Sequence, residues 1–135
     1  LSSAASDVYK RQPVTGRYVC IEALNSQDGK DLACIAEMYF LDKDGSRLSR
    51  EPWIVKYADS EDVAHVNRSA DKTFDLQEST YWSTEKGSPY PHTIVIDLGA
   101  SHALTGFQCL PRMESEVPGG IKDFKIYVKG ENFKY

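Results

Sequence analysis

The chain is short of cysteine, of long hydrophobic runs and of positive charge, and each shortage removes a class of protein. Its 135 residues hold three cysteines, Cys20, Cys34 and Cys109, with no Cys-x-x-Cys spacing. An odd and small number is not a disulfide framework, and the spacing is not that of a zinc site. Each thiol sits in an apolar stretch and reads as a small core residue. A Cys20–Cys34 bridge stays open if the strands carrying them are neighbours. No apolar run approaches the roughly 20 residues of a membrane helix. Lys and Arg number 16 against 20 Asp and Glu, a net charge of −4. That balance argues against nucleic acid as a partner and against a broad footprint on an anionic membrane. Nine glycines, no heptads and 11% aromatic residues exclude collagen, coiled coil and intrinsic disorder.

Motifs of catalysis are also missing. There is no His-Glu-x-x-His, no His-x-His, no Gly-x-Ser-x-Gly elbow and no glycine-rich phosphate loop. His65, His92 and His102 are too dispersed for a metal set, and each reads as an exposed or hydrogen-bonded surface histidine. Twenty carboxylates give chance pairs, and nothing in their spacing marks the pair a glycosidase holds across a cleft. The expectation is a chain that is not itself an enzyme.

What is present is the pattern of one all-β domain. At 41% hydrophobic and 27% charged residues, the composition is that of a globular protein. A chain of this length buries roughly two-thirds of its unfolded surface and needs no staple. Residues 17–24 are β-rich, and 33–41 (ACIAEMYFL) form an apolar run that reads as strand. Trp53–Tyr57 is a further strand, and 59–80 a long polar loop with one or two turns. In 92–98 Ile94, Ile96 and Leu98 alternate with Thr93, Val95 and Asp97 before Gly99 ends the strand. Residues 103–110 make the next strand, closed by Pro111, and 121–128 alternate again with Phe124, Ile126 and Val128 on one face. Short strands divided by Gly, Pro and Asp turns predict an antiparallel β-sandwich or barrel without long helices. Residues 1–12 (LSSAASDVYKRQ) lack an amphipathic period and are set apart as non-native or disordered. Asp7–Gln12 looks like the conceptual translation of a sequencing-adaptor end, which implies a metagenomic gene fragment. The domain is then 13–135, with its C-terminus expected to be truncated.

Loop chemistry offers binding groups. Asp75, Gln77, Glu78 and Thr80 crowd together before Tyr81-Trp82, an oxygen-rich set that suits a hard cation, and equally a solvated turn. Arg112 follows a proline at a strand end, where a guanidinium fork suits sugar hydroxyls or carboxylates. The plainer reading of Arg112 is a surface ion pair with Glu114 or Glu116. Trp53 and Trp82 read as core anchors.

Phe74-Asp75, Thr80-Tyr-Trp82, Pro91–Gly99, Leu104–Phe107, Leu110-Pro-Arg112 and Gly120–Val128 together resemble the coagulation-factor type C, or discoidin, family. The likeness covers about residues 70–133. Residues 17–41 look like the block that usually closes such a domain, here placed first. Either they are the tail of a preceding module or the domain is permuted and they complete its own sandwich. The resemblance implies a galactose-binding-like jelly roll with its loops gathered at one end. It also implies a structural Ca2+ held by backbone carbonyls with Asp75, Thr80 and Glu37. The family's Asp-Gly-Asp reads Asp75-Leu76-Gln77 here, and leucine takes a positive φ less cheaply than glycine.

Binding in this family falls on the apical loops, which places the site among the loops 61–68, 83–91 and 112–119. Arg112, Glu85, Tyr90, His65 and Asn67 are its expected ligand-binding residues, chosen by loop position. The function expected is a non-catalytic carbohydrate-binding module of a secreted bacterial glycan-processing enzyme. Its partners would be a mono- or oligosaccharide and a covalently linked catalytic domain. The alternative is a protein- or lipid-interaction domain on the same fold.

Overall fold

Seven strands and one 3₁₀ turn account for the regular structure among the described residues, which are 8–111 and 119–135 of this computed structural model, the first five by backbone alone. In chain order they are β1 (Val8–Ser26), β2 (Cys34–Ile35), β3 (Glu37–Leu41), β4 (Ile54–Ala58), the 3₁₀ turn Ala70–Phe74, β5 (Trp82–Ser83), β6 (His92–Leu110) and β7 (Ile121–Lys129). All pairings are antiparallel.

Two long strands organise the molecule. β1 lies between β6 and β7, and β6 pairs with β1 along its length. The other side of β6 is shared: β4 takes 94–97 and β3 takes 106–110. Phe107 of β6 pairs within the sheet with Phe40 of β3, yet its ring also meets Phe124 of β7 edge-on at 5.4 Å. β7 pairs with the other half of β1, so that contact crosses the core. The sheet therefore folds over on itself into two antiparallel layers, with Phe40, Trp53, Phe107 and Phe124 between them. This is the β-sandwich the pattern predicts, and Trp53 and Trp82 are the core anchors expected.

The bend corrects one expected boundary. Gly99 does not end a strand; β6 runs on from His92 to Leu110. Gly99 takes φ 84°, and a Cβ there would stand 2.9 Å from Cβ of Pro52. Opposite it the β1 register slips between Gly16 and Tyr18, and a Cβ on Gly16 would press within 2.7 Å of the Lys129 carbonyl oxygen. A glycine on each strand lets the pair turn a corner without breaking the ladder.

Backbone pairing starts at Val8, Tyr9 and Lys10, opposite Gln108, Phe107 and Gly106. Ladder hydrogen bonds need no amphipathic side-chain pattern, so the edge of β6 recruits residues that patterning set aside. Residues 1–7 and the loop 112–118 lie outside the described residues.

No disulfide joins Cys20 to Cys34. Cys20 sits in β1 opposite Val95 and Tyr127, whereas Cys34 belongs to β2, which pairs with β5. The condition for a bridge, neighbouring strands, is not met. No helix among the described residues is long and apolar enough to cross a membrane.

Candidate functional site

One end of the sandwich collects the loops that sequence singled out. The short β2–β5 ladder pins Ile35 opposite Trp82 and Cys34 opposite Ser83, and carries its loops with it. The Thr84 amide donates to the Ala33 carbonyl at 3.0 Å, and Thr84 Oγ1 accepts from the Ala33 amide at 2.9 Å. Asp62 N donates to Ser83 O, and Ser83 N to Arg68 O, so the 61–68 loop is closed at its base. Trp82 Nε1 reaches the Ser60 carbonyl at 2.9 Å, and the Glu85 amide reaches Ser60 Oγ at 2.9 Å. Cys34 N donates to Gly119 O, which brings Gly119 to the same end. Loops 27–33, 59–69 and 84–91 thus form a bonded rim on rigid strands, the arrangement that suits recognition.

Within this rim His65, Asn67 and Glu85 are exposed. Asn67 uses its Oδ1 to accept from the Ser69 amide at 3.0 Å. Tyr90 is half-buried, and its hydroxyl donates to the Leu32 carbonyl at 2.9 Å, so its ring acts first as a strut. Burial pushes the Tyr90 phenol pKa upward. Arg112 lies outside the described residues. Arg68, which loop position alone did not suggest, lies with its guanidinium 4.0 Å over the Tyr81 ring. A cationic fork on an aromatic face beside polar rim groups is a sugar-competent pairing. The two residues are thirteen apart in an irregular stretch, so no periodic signal announces them.

His92 departs from the surface position expected of it. It is fully buried, with Nδ1 2.9 Å from Asp59 Oδ2 and Nε2 2.9 Å from the Asp31 carbonyl.

The residues that the resemblance assigned to a cation stand beneath this rim. Glu37 is buried, with Oε2 on the Arg50 guanidinium, which also approaches the Met38 and Thr73 carbonyls at 3.4 Å. Among the described residues Oε1 of Glu37 has no hydrogen-bond partner. Burial pushes the Glu37 pKa up; Arg50 opposes that, and the negative charges of Asp75 and Glu78 reinforce it. Asp75 accepts from Gln77 N at 3.1 Å and from Thr80 Oγ1. Leu76 takes φ 66°, so the loop keeps the left-handed residue that glycine would supply. Arg50 pairs with Oε2 alone, and the orphaned Oε1 feels the charges of Asp75 and Glu78, a set of oxygens whose chemistry fits a hard divalent cation. Among the described residues no three His, Cys, Asp or Glu side chains converge at ligand spacing, so Thr80 and backbone carbonyls would complete such a shell.

The F5/8 type C domain model matches residues 56–135, more than half of the chain. The chain belongs to the F5/8 type C family. Relatives of this F5/8 type C chain include a sialidase of Micromonospora viridifaciens, 34% identical over 73 residues. That alignment takes in 51% of this chain and 11% of the sialidase. A galactose oxidase of Gibberella zeae is 30% identical over 91 residues, 64% of this chain and 13% of the oxidase. The chain spans only a small fraction of the length of either relative.

Proposed function

We propose that this F5/8 type C domain is a non-catalytic carbohydrate-binding module, carried by a secreted bacterial glycan-processing enzyme. The observation that carries the reading is the rim itself. Three loops cross-bonded at one end of a rigid sandwich present Arg68 on Tyr81 beside exposed His65, Asn67 and Glu85. Such a rim grips hydroxyls through a fork and a ring, with weak affinity per site that tethering multiplies. Relatives named sialidase and galactose oxidase support sialic acid and galactose as the first sugars to try. Arg112 is proposed to complete the site from the adjoining loop. Titration of 15N-labelled protein with galactose, N-acetylglucosamine, fucose and sialic acid should shift rim amides saturably, and Arg68→Ala should weaken that binding. No shift with any of the four sugars overturns the reading.

One observation favours a second reading. Val63 and Val66 are 59% and 55% exposed at the tip of the 61–68 loop, the kind of apolar tip that enters a lipid surface. Sedimentation with neutral and anionic vesicles separates the two readings, since a glycan module stays in the supernatant.

We further propose that Ca2+ binds at Glu37 Oε1, Asp75 and Thr80, tying the 3₁₀ turn and its following loop to β3. When bound, the ion would add positive charge beside Asp75 and Glu78, whose charges bear on Glu37. Thermal unfolding in calcium against chelator should differ. A ligand at a hundred times its dissociation constant stabilises by about 2.7 kcal/mol. Glu37→Gln should abolish the difference, and identical curves for the parent protein sink the proposal.

A further inference from the structure

We propose that His92 is a positioning residue for the rim, holding three loops together as an imidazolium and releasing them when it loses its proton. The inference rests on the reading of this rim as a binding face, and its geometry comes from a residue outside every expected contact set.

The His92 ring sits at the start of β6 and is wholly buried. Each nitrogen faces an acceptor at 2.9 Å: Asp59 Oδ2 at Nδ1 and the Asp31 carbonyl at Nε2. A neutral imidazole has one N–H and one lone pair, so either tautomer aims a lone pair at an oxygen. The imidazolium alone donates to both. Burial opposes the charge. Against it stand the Asp59 hydrogen bond, the Asp31 carbonyl, the Asp59 charge and the Ser88 backbone, and the balance lies upward from the ordinary histidine value.

The partners come from three different loops. Asp31 lies in 27–33, Asp59 opens 59–69, and Ser88 lies in 84–91. Tyr90 closes the assembly, its ring edge-on to His92 with centroids 4.6 Å apart and its hydroxyl on Leu32. The charged and titratable groups packed here are Asp59, Asp31 and Tyr90; Asp28 and Cys34 act on Tyr90. Asp59 also holds β6 directly, accepting from the Thr93 amide at 2.7 Å, and its side chain is 22% exposed. Asp59 is thus both the counter-ion and the route by which the proton reaches water. When the proton leaves, one of the two 2.9 Å contacts turns acceptor against acceptor, and the loop it held loses its anchor.

The sign follows. A histidine whose folded pKa is raised contributes stability in full below its unfolded value and loses it as pH rises through the folded one. Loop order is therefore highest in mild acid and declines toward alkaline pH.

The test uses the whole chain and no sugar. Ring 15N shifts of His92 followed from pH 5 to 9 should show two N–H nitrogens at pH 6. Amide protection factors in 27–33 and 84–91, corrected for intrinsic exchange, should fall several-fold from pH 6 to 9, while those of β7 hold. In His92→Gln the same loops should be less protected at pH 6 and indifferent to pH. A lone-pair nitrogen on His92 at pH 6, or loop protection that ignores pH in the parent protein, overturns the proposal. The ring measurement decides even if the variant does not fold. Loops that follow pH in a protein that binds none of the four sugars overturn the functional reading and leave the clamp standing.

Discussion

At Leu76 the chain keeps a backbone conformation whose usual residue it has lost. Left-handed backbone costs an L-residue about 1–2 kcal/mol, and Leu76 recovers little of that by burial, since it is 65% exposed. The surrounding loop holds it there: Asp75 accepts from Gln77 N and from the Thr80 hydroxyl, whose oxygen also lies 3.0 Å from the Gln77 carbonyl. Leu76→Gly should therefore stabilise the protein by about 0.5–1 kcal/mol, the strain relieved less the entropy glycine adds to the unfolded chain. Urea denaturation checks it, and an unchanged or lower midpoint shows that the loop is not under strain. The neighbouring Glu37–Arg50 pair makes the opposite case. Leaving either charge alone in the interior costs about 3–5 kcal/mol, so Arg50→Ala should rank among the most damaging substitutions available. How legible such residues are depends on whether their signal is local. Asp75 and Thr80 stand five apart in one turn, and sequence finds them together. His92 does not look buried, because its partners Asp31 and Asp59 lie 61 and 33 residues away and their meeting is made by topology. Arg68 and Tyr81 fail to announce themselves for the same reason.

At the scale of elements, alternation reads well where one face is open and poorly where both are covered. β7 follows the expected pattern from Phe124 on, with Phe124, Ile126 and Val128 toward the core and Lys125, Tyr127 and Lys129 outward, whereas Ile121, beside a register slip, is buried out of phase. β6 does not: Val95 and Asp97 are buried as well as Ile94, Ile96 and Leu98, and Arg17 lies over Asp97 on the outer face. The turn signal at Gly99 is real but denotes a corner, and a corner and a chain reversal use the same glycine. Where residues 17–41 belong is a question about pairing, which periodicity cannot address. In the structure β1 separates β6 from β7, and β7 has no other partner among the described strands. A chain beginning at Gln27 should therefore lose β7 from the sheet and show no cooperative unfolding transition. Circular dichroism with temperature settles it, and a sharp transition in that fragment would place β1 outside the folding unit.

For the whole molecule, ionisation sets limits on both sides of neutrality. On the acid side, the hydrogen bond and charge of Arg17, with the Gly99 amide, hold the Asp97 pKa below its ordinary value despite partial burial. Asp28 is lowered by the Lys30 amide and the Ser26 hydroxyl. A carboxylate of depressed pKa stabilises above its unfolded value and loses that contribution as pH falls through the folded one, so the acid limb lies below about pH 4. On the alkaline side the raised pKa of His92 works in the reverse sense, and its contribution fades above about pH 6.5. The two limbs arise at different places. Asp97 joins β1 to β6 beside the corner, and His92 ties the rim, so they should separate cleanly in variants. Melting temperatures from pH 3 to 9 should trace a plateau between the limbs. Asp97→Asn should flatten the acid limb and leave the alkaline one, and His92→Gln should do the converse. If either substitution merely lowers the whole curve by a constant, that group is a packing element and the limb belongs to other ionisations. A separable alkaline limb would also mean that rim order can be lost while the two-layer body still holds, because the bonds His92 makes lie outside the ladder that joins β1 to β6 and β7.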